Sequence, residues 1–324
     1  MKAGAMYENV AIIGAGTMGH GLALVHALGG ARVTVTDVDP ATLAGAAGRI
    51  GSAVQVLAEC GEIDANTPDP LTRIRFVPTL AEAVADADLV VEAVVEDPVA
   101  KRSIFSELDR LAPRTAVIAS NTSGLDIFPL VPAGRLGRTL IVHWYAPPYI
   151  VELVDIVGSP ETPPDLIESV RAFVAGLGKR PVVLSRFVPG YVANRLQAAW
   201  TREVLWLMEQ GIAGPAEIDA AVRHGLAGRM ALLGHVMKSD FGGLKLTQRL
   251  LANGSYEFPP PVDHYDILDR LVEAGRTGVL AGKGFYDYGG RPAAELVADR
   301  DRRLIALKRA TNAIVADFPE PKVQ

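Results

Sequence analysis

The chain is nearly free of cysteine. Cys60 stands alone among 324 residues, so no internal disulfide framework can staple the fold. A reducing cytoplasm is the expected location, and Cys60 reads as a half-buried helix residue rather than a reactive thiol. No apolar run approaches the length of a membrane span, so no membrane partner is expected. The first thirty residues, with Lys2 and many apolar side chains, imitate a secretory signal. Glu8 and a glycine motif lie within that apolar region, and cleavage there would destroy the motif. Positive charge is also short: Lys and Arg number 32 against 37 Asp and Glu, for a net charge of −5. No basic stripe is present, which argues against a nucleic-acid partner. Histidines and carboxylates are scattered without the close spacing of a metal site, so no metal is expected. What remains is a globular chain, 49% hydrophobic, long enough for two domains and a substantial core.

The most informative stretch is Asn9-Val-Ala-Ile-Ile-Gly-Ala-Gly-Thr-Met-Gly19. Its apolar run suits a short buried strand, and Gly14, Gly16 and Gly19 follow in G-x-G-x-x-G spacing before a helical pattern (Leu22, Leu24, Val25, Leu28). In a strand–turn–helix, Gly14 allows the tight turn and Gly16 lets backbone approach a pyrophosphate. Gly19 lets the helix pack close, and the helix N-terminus offers free N–H donors. A second apolar run, Arg32 to Thr36, ends in Asp37, 23 residues after Gly14. A carboxylate there bonds the ribose 2′-hydroxyl of NAD and repels the 2′-phosphate of NADP. The arrangement predicts NAD binding.

Strand-like and helix-like segments then alternate. Helices are expected over roughly Pro40–Cys60, Thr79–Asp86, Asp97–Leu111 and Pro164–Gly176. Strands are expected at Ile74–Val77, Asp88–Val95, Ala116–Ala119, Leu140–His143, Val151–Val157 and Pro181–Leu184. Such alternation predicts an α/β fold, a doubly wound and mostly parallel sheet. Near Arg186-Phe-Val-Pro-Gly190 the pattern becomes helical. We place the boundary at 187, giving domains 1–187 and 188–324. The helix expected over Tyr191–Glu209 carries Leu196, Trp200, Val204, Leu205, Trp206 and Met208 on more than one face. It must be covered by its own domain or by a second subunit, and a homodimer through the helical half is expected.

Ligands of open α/β sheets bind beyond the carboxyl ends of the strands. Ser123 and His143 both emerge there. His143 reads either as a satisfied core histidine or as a general base. A base needs a carboxylate to orient it, and Glu152 and Asp155 both lie in the next strand. Their odd separation puts them on opposite faces, so at most one faces His143.

Taken together, several motifs resemble the 3-hydroxyacyl-CoA dehydrogenase family in order over nearly the whole chain. They are the glycine motif, Val91-Glu-Ala-Val-Val-Glu96 with Lys101, Ser120-Asn-Thr-Ser123, His143-Trp-Tyr-Ala-Pro147, Pro189-Gly-Tyr-Val-Ala-Asn-Arg195 and Gly282-Lys-Gly-Phe-Tyr286. The resemblance implies a Rossmann-like NAD-binding domain, an all-α dimerisation domain and reversible oxidation of an L-3-hydroxyacyl group on a CoA thioester. By that similarity His143 is the general acid/base and Asp155 its carboxylate partner, while Ser123 and Asn194 hold the substrate oxygen. Cofactor contacts are expected at Gly14, Gly16, Thr17, Met18, Gly19, Asp37, Glu96, Lys101 and Asn121. A non-catalytic NAD sensor would need only the glycines and Asp37, and would have no use for the strand-end polar groups.

Two departures from the family pattern bear on the substrate. Asp155 stands where the family usually has Glu, one methylene or about 1.5 Å shorter. Ala146 stands where it has Asn, removing one hydrogen-bonding group. The family binds CoA phosphates on a lysine-rich helical extension after the second strand, yet this chain has no lysine between Lys2 and Lys101 and only Arg49 within residues 41–69. Relatives that oxidise free hydroxy acids, of the L-gulonate and carnitine type, are the alternative, with Arg195 and Arg229 as candidate carboxylate clamps.

Overall fold

The computed structural model describes residues 7–64, 66–254 and 258–317. The chain divides between Val192 and Ala193, five residues beyond the boundary expected near 187. The additional residues stay with the first unit because Tyr191 is fully buried in its core and its hydroxyl donates to the Thr122 carbonyl.

In the first unit, strands β1 (Asn9–Ile13), β2 (Arg32–Thr36), β3 (Ile74–Phe76), β4 (Leu89–Glu92), β5 (Val117–Ser120), β6 (Thr139–Trp144), β7 (Leu153–Gly158) and β8 (Arg180–Val183) form one sheet. Its order is β3-β2-β1-β4-β5-β6-β7-β8. Neighbours are parallel except β6 and β7, which run antiparallel. The strands β4, β5 and β6 are buried throughout, as expected of unbroken apolar runs covered on both faces. Helices α1 (Gly19–Leu28), α2 (Pro40–Glu59), α3 (Leu80–Val84), α4 (Pro98–Leu111) and α5 (Pro164–Gly176) lie between strands. Asp39, Thr79 and Asp97 accept backbone N–H bonds at the starts of α2, α3 and α4, and Pro40 and Pro98 stand in the first turns. Phe105 and Leu108 of α4 pack against Ile118 and Ile141 of the sheet. Arg135, 1% exposed, donates to the carbonyls of Leu108, Ala112, Pro113 and Arg114 and so satisfies the end of α4.

The strand order reverses at β1, which has β2 on one side and β4 on the other. That switch opens a crevice past the carboxyl ends of these strands, where ligands of doubly wound sheets bind.

The second unit is helical: α6 (Ala193–Glu209), α7 (Pro215–Ala221), α8 (Gly228–Gly242), α9 (Leu244–Ala252), α10 (Asp266–Glu273) and α11 (Ala293–Ala316). The Gly282–Tyr286 motif forms isolated bridges, Gly278 with Lys283 and Lys283 with Asp287, and the Tyr286 hydroxyl donates to Asp219. Of the large apolar residues on α6, only Leu205 is buried; Leu196 and Trp200 are 55% and 41% exposed. Among the described residues no helix is long and apolar enough to cross a membrane.

Candidate active site

A cleft of about 860 Å³ lies over the switch, lined by the glycine turn, Asp37, Glu96, Asn121 and Ser123. Each glycine of the turn has its own reason. Gly14 has φ +100°, and a Cβ there would fall 2.5 Å from the Ala93 carbonyl oxygen. A Cβ on Gly19 would overlap the Gly14 carbonyl, so helix α1 can start against the turn only without one. Around Gly16 a Cβ would meet nothing within 4 Å, leaving backbone open to the cleft, as a pyrophosphate requires. Asp37 ends β2 and ties the turn down: its Oδ2 accepts from Ala15 N at 2.6 Å and its Oδ1 from Asp39 N at 2.9 Å. Val38 and Val95, fully and 69% exposed, give the cleft an apolar flank suited to a planar base. Sequence reasoning assigns neither to the site: Val38 is a lone valine after Asp37, and Val95 reads as the end of an apolar strand that in fact stops at Glu92. A second cleft, about 680 Å³, opens at the opposite ends of the strands beside Asn9, Arg32 and Arg75, away from these groups.

Glu96 shapes the loop after β5. Its Oε1 accepts from the Thr122 hydroxyl (2.7 Å) and from the N–H groups of Ser123 (2.8 Å), Gly124 (2.7 Å) and Leu125 (3.2 Å). Burial works to raise its pKa, but the bonds from Gly124 and Thr122 and the charge of Lys101 outweigh it and hold the carboxyl below its usual range. Lys101 is placed otherwise than as a cofactor contact. Its side chain is 1% exposed and its Nζ lies 2.7 Å from Glu92 Oε1 and 3.4 Å from Glu96 Oε2. It does not line the cleft, because the buried Glu92 carboxylate demands a counter-charge. The other Glu92 oxygen accepts from the Ser120 hydroxyl at 2.5 Å. Sequence reasoning does not single out Glu92 or Ser120, although an acid ending an apolar strand is itself a signal of a buried partner.

Beyond that loop stands His143, 3% exposed at the end of β6. The antiparallel register of β6 and β7 sets His143 directly opposite Asp155, which decides between Asp155 and Glu152. Its Nδ1 lies 3.3 Å from Asp155 Oδ2, and its Nε2 lies 3.1 Å from Ser123 Oγ. A carboxylate can only accept, so Nδ1 carries the proton and Nε2 of the neutral ring faces Ser123 as the acceptor. The imidazole is walled by Tyr145 edge-on, with centroids 4.5 Å apart, and by Tyr191 at 4.6 Å. Tyr191 has φ +49°, rare for a bulky residue, and is kept there by its buried bond to Thr122. Burial first, then Glu96 and Asp155, pushes its phenol well above the usual tyrosine range, so it stays a neutral donor. Asn121 Oδ1 accepts from Trp144 N at 2.8 Å, joining the loop after β5 to the strand of His143.

Other expected site residues fall elsewhere. Asn194 lies in the first turn of α6, in the helical unit. Arg229 Nε donates to the Gly225 carbonyl one turn back, and Arg195 sits exposed on α6. Arg49 does not reach out from α2. Its Nη2 donates to the carbonyls of Ala15 (3.0 Å) and Thr42 (2.7 Å) behind the glycine turn.

Known proteins resemble this chain over most of its length. Residues 9–187 match the family pattern described as 3-hydroxyacyl-CoA dehydrogenase, NAD binding domain, and residues 190–288 match its C-terminal domain. The chain is 30% identical to 5-formyl-3-hydroxy-2-methylpyridine 4-carboxylate 5-dehydrogenase of Mesorhizobium japonicum, over 94% of this chain and 98% of that protein. A crystal structure of an enzyme of that name, described as an NAD+-dependent dismutase, superposes with a TM-score of 0.85 over 95% of this chain and 99% of its own. L-carnitine dehydrogenase of Nocardiopsis dassonvillei is 34% identical over 95% and 92%. The 3-hydroxybutyryl-CoA dehydrogenase of Mycobacterium tuberculosis is 33% identical over 87% and 98%. The chain belongs to the 3-hydroxyacyl-CoA dehydrogenase family, NAD-dependent oxidoreductases acting on a hydroxyl group.

Proposed function

We propose that the chain oxidises the hydroxyl of a small free hydroxy acid rather than of a CoA thioester. The observation that carries this reading is Arg49: the one basic side chain within residues 41–69 is turned inward onto Ala15 and Thr42 and leaves α2 without a cation for CoA phosphates. Ala146 supports it, since the hydrogen-bonding group the family carries there is gone. So does the relatives' chemistry, because the pyridine carboxylate and carnitine enzymes, which span 94% and 95% of this chain, are named for free acids.

NAD would supply the hydride acceptor when bound, and the glycine turn and Asp37 would hold it. The substrate hydroxyl would sit against Ser123 Oγ and His143 Nε2, and its proton passes to Nε2. Asp155 then faces a charged imidazolium across 3.3 Å, and the attraction stabilises that charge as it forms. Ser123 is held in place by the Glu96 cage around its loop. Asn194 is proposed as a further donor to the substrate oxygen on family likeness alone. A second copy of the chain is proposed to cover Leu196 and Trp200 of α6, which sedimentation of the purified protein tests directly.

The substrate reading is tested by NADH absorbance with NAD and, in parallel, L-carnitine, L-gulonate, 3-hydroxybutyrate and 3-hydroxybutyryl-CoA. Turnover of a free acid with silence on the thioester is expected. Turnover of the thioester alone would overturn it.

A further inference from the structure

The carboxylate beside His143 divides its attention between two donors. Asp155 Oδ2 lies 3.3 Å from His143 Nδ1 and accepts from the Tyr145 hydroxyl at 2.6 Å. Its other oxygen, Oδ1, is buried with no hydrogen-bond partner among the described residues. A single oxygen of a carboxylate only 1% exposed therefore meets both the base and a phenol, and the phenol has the shorter contact. Tyr145 reaches it because residues two apart on an extended chain point to the same face, and its ring lies edge-on to the imidazole at an interplanar angle of 72°.

We propose that Tyr145 is a positioning residue of the His143–Asp155 pair, selecting the Asp155 rotamer and drawing charge from the oxygen that faces the base. A short O–H···O⁻ bond is among the strong hydrogen bonds of proteins, and it competes for the density that would otherwise stabilise an imidazolium. With a side chain one methylene shorter than the family's Glu, Asp155 meets both donors with Oδ2, and the phenol sets how firmly that oxygen can bind the ring. The consequence is that phenol and imidazole compete for one oxygen, and loss of the phenol would leave Oδ2 wholly to the imidazole.

The remaining neighbours of the pair leave Oδ2 to these two donors. Ser123 faces Nε2 from the loop after β5, and Tyr191 lies on the ring from the segment before α6. On the far side of Asp155, β8 presents Val182, which is apolar. Glu96 and Asp126 are the further acidic groups whose charge reaches the Tyr191 phenol. None of these groups contacts Asp155 Oδ2, so Tyr145→Phe removes one of the two donors to that oxygen while keeping the ring that walls the imidazole.

The inference rests on His143 being the base, but its test does not require turnover. Protein labelled with 13C-histidine, with NADH bound, is titrated by NMR. His143 is identified among the 6 histidines by the resonance missing in His143→Gln. Tyr145→Phe should move the His143 titration midpoint upward by roughly half a pH unit or more, since Oδ2 is then wholly available to the imidazolium. In an Asp155→Asn background the same substitution should move nothing. An unchanged or lowered midpoint in Tyr145→Phe, or an equal shift with Asp155→Asn in place, would overturn the proposal. NADH fluorescence verifies that each variant is folded, and Tyr145→Leu repeats the test should the Phe variant fail to bind NADH. The role of His143 as the base is tested separately, by the turnover of His143→Gln, so the two ideas fail independently.

Discussion

Lys101 of α4 places its ammonium 2.7 Å from Glu92, the last residue of β4, and both side chains are sealed from solvent. The pair stands at the centre of a chain of contacts. Glu92 accepts from Ser120 at the end of β5, and Lys101 also reaches Glu96, whose carboxylate gathers the loop of Ser123. An ion pair buried this deeply resists the loss of either member more than the loss of both, because a lone charge has no solvent to fall back on.

Lys101→Met should therefore cost about 3–5 kcal/mol of stability, the usual penalty for stranding a buried charge. Adding Glu92→Gln should recover much of that loss. Urea unfolding followed by circular dichroism checks both. A single variant as stable as wild type would mean that the pair is not the counter-charge arrangement described here.

The glycines of the nucleotide turn separate folding from binding. Gly19→Ala should fail to reach a stable fold, because its Cβ would overlap the Gly14 carbonyl. Gly16→Ala has open space within 4 Å and should unfold at nearly the wild-type temperature. Its methyl would nonetheless stand where a pyrophosphate approaches, so NADH affinity should fall by roughly tenfold or more, about 1.4 kcal/mol. Thermal melts and NADH fluorescence titrations read the two effects independently.

A buried histidine predicts acid sensitivity. His26 lies between Phe173 and Trp144 with both ring nitrogens unpartnered among the described residues, and burial, then the nearby Lys179 charge, lowers its pKa from 6.5 to about 4. The unfolded chain binds that proton more readily, so this contribution to stability is complete above pH 6.5 and is lost as pH falls toward 4. Its full size is on the order of 3 kcal/mol. His26→Phe should flatten the decline in melting temperature across that window while leaving other acid-sensitive groups at work. Parallel pH dependence in the variant would assign the decline elsewhere.

Much of the first unit is legible in the sequence because its signals are local. Strand, glycine turn, helix and Asp37 follow one another within about thirty residues, the length of one strand–helix–strand unit, and each has a single mechanical reason. Parity alone does not choose between Glu152 and Asp155, since it shows only that the two point apart; family likeness names Asp155, and the β6–β7 register sets it opposite His143. Lys101 is expected at the cofactor on family likeness alone. The buried Glu92 claims it instead, a pairing set by the packing of α4 over β4. Tyr145 carries no signal, as its role depends on one oxygen of a residue ten positions away in the chain. By its contacts the first unit extends to Val192, because Tyr191 is anchored to Thr122, a contact spanning 69 residues.

The central claim is that His143 removes the substrate proton during NAD-linked oxidation. Its most direct test is the rate of NADH formation by His143→Gln against wild type, at saturating NAD, with the free acid that the wild-type protein turns over. Turnover should fall by roughly 10²-fold or more, while NADH fluorescence shows unchanged cofactor affinity, since His143 lies outside the glycine turn. Near-wild-type turnover in a variant that binds NADH normally would contradict the claim.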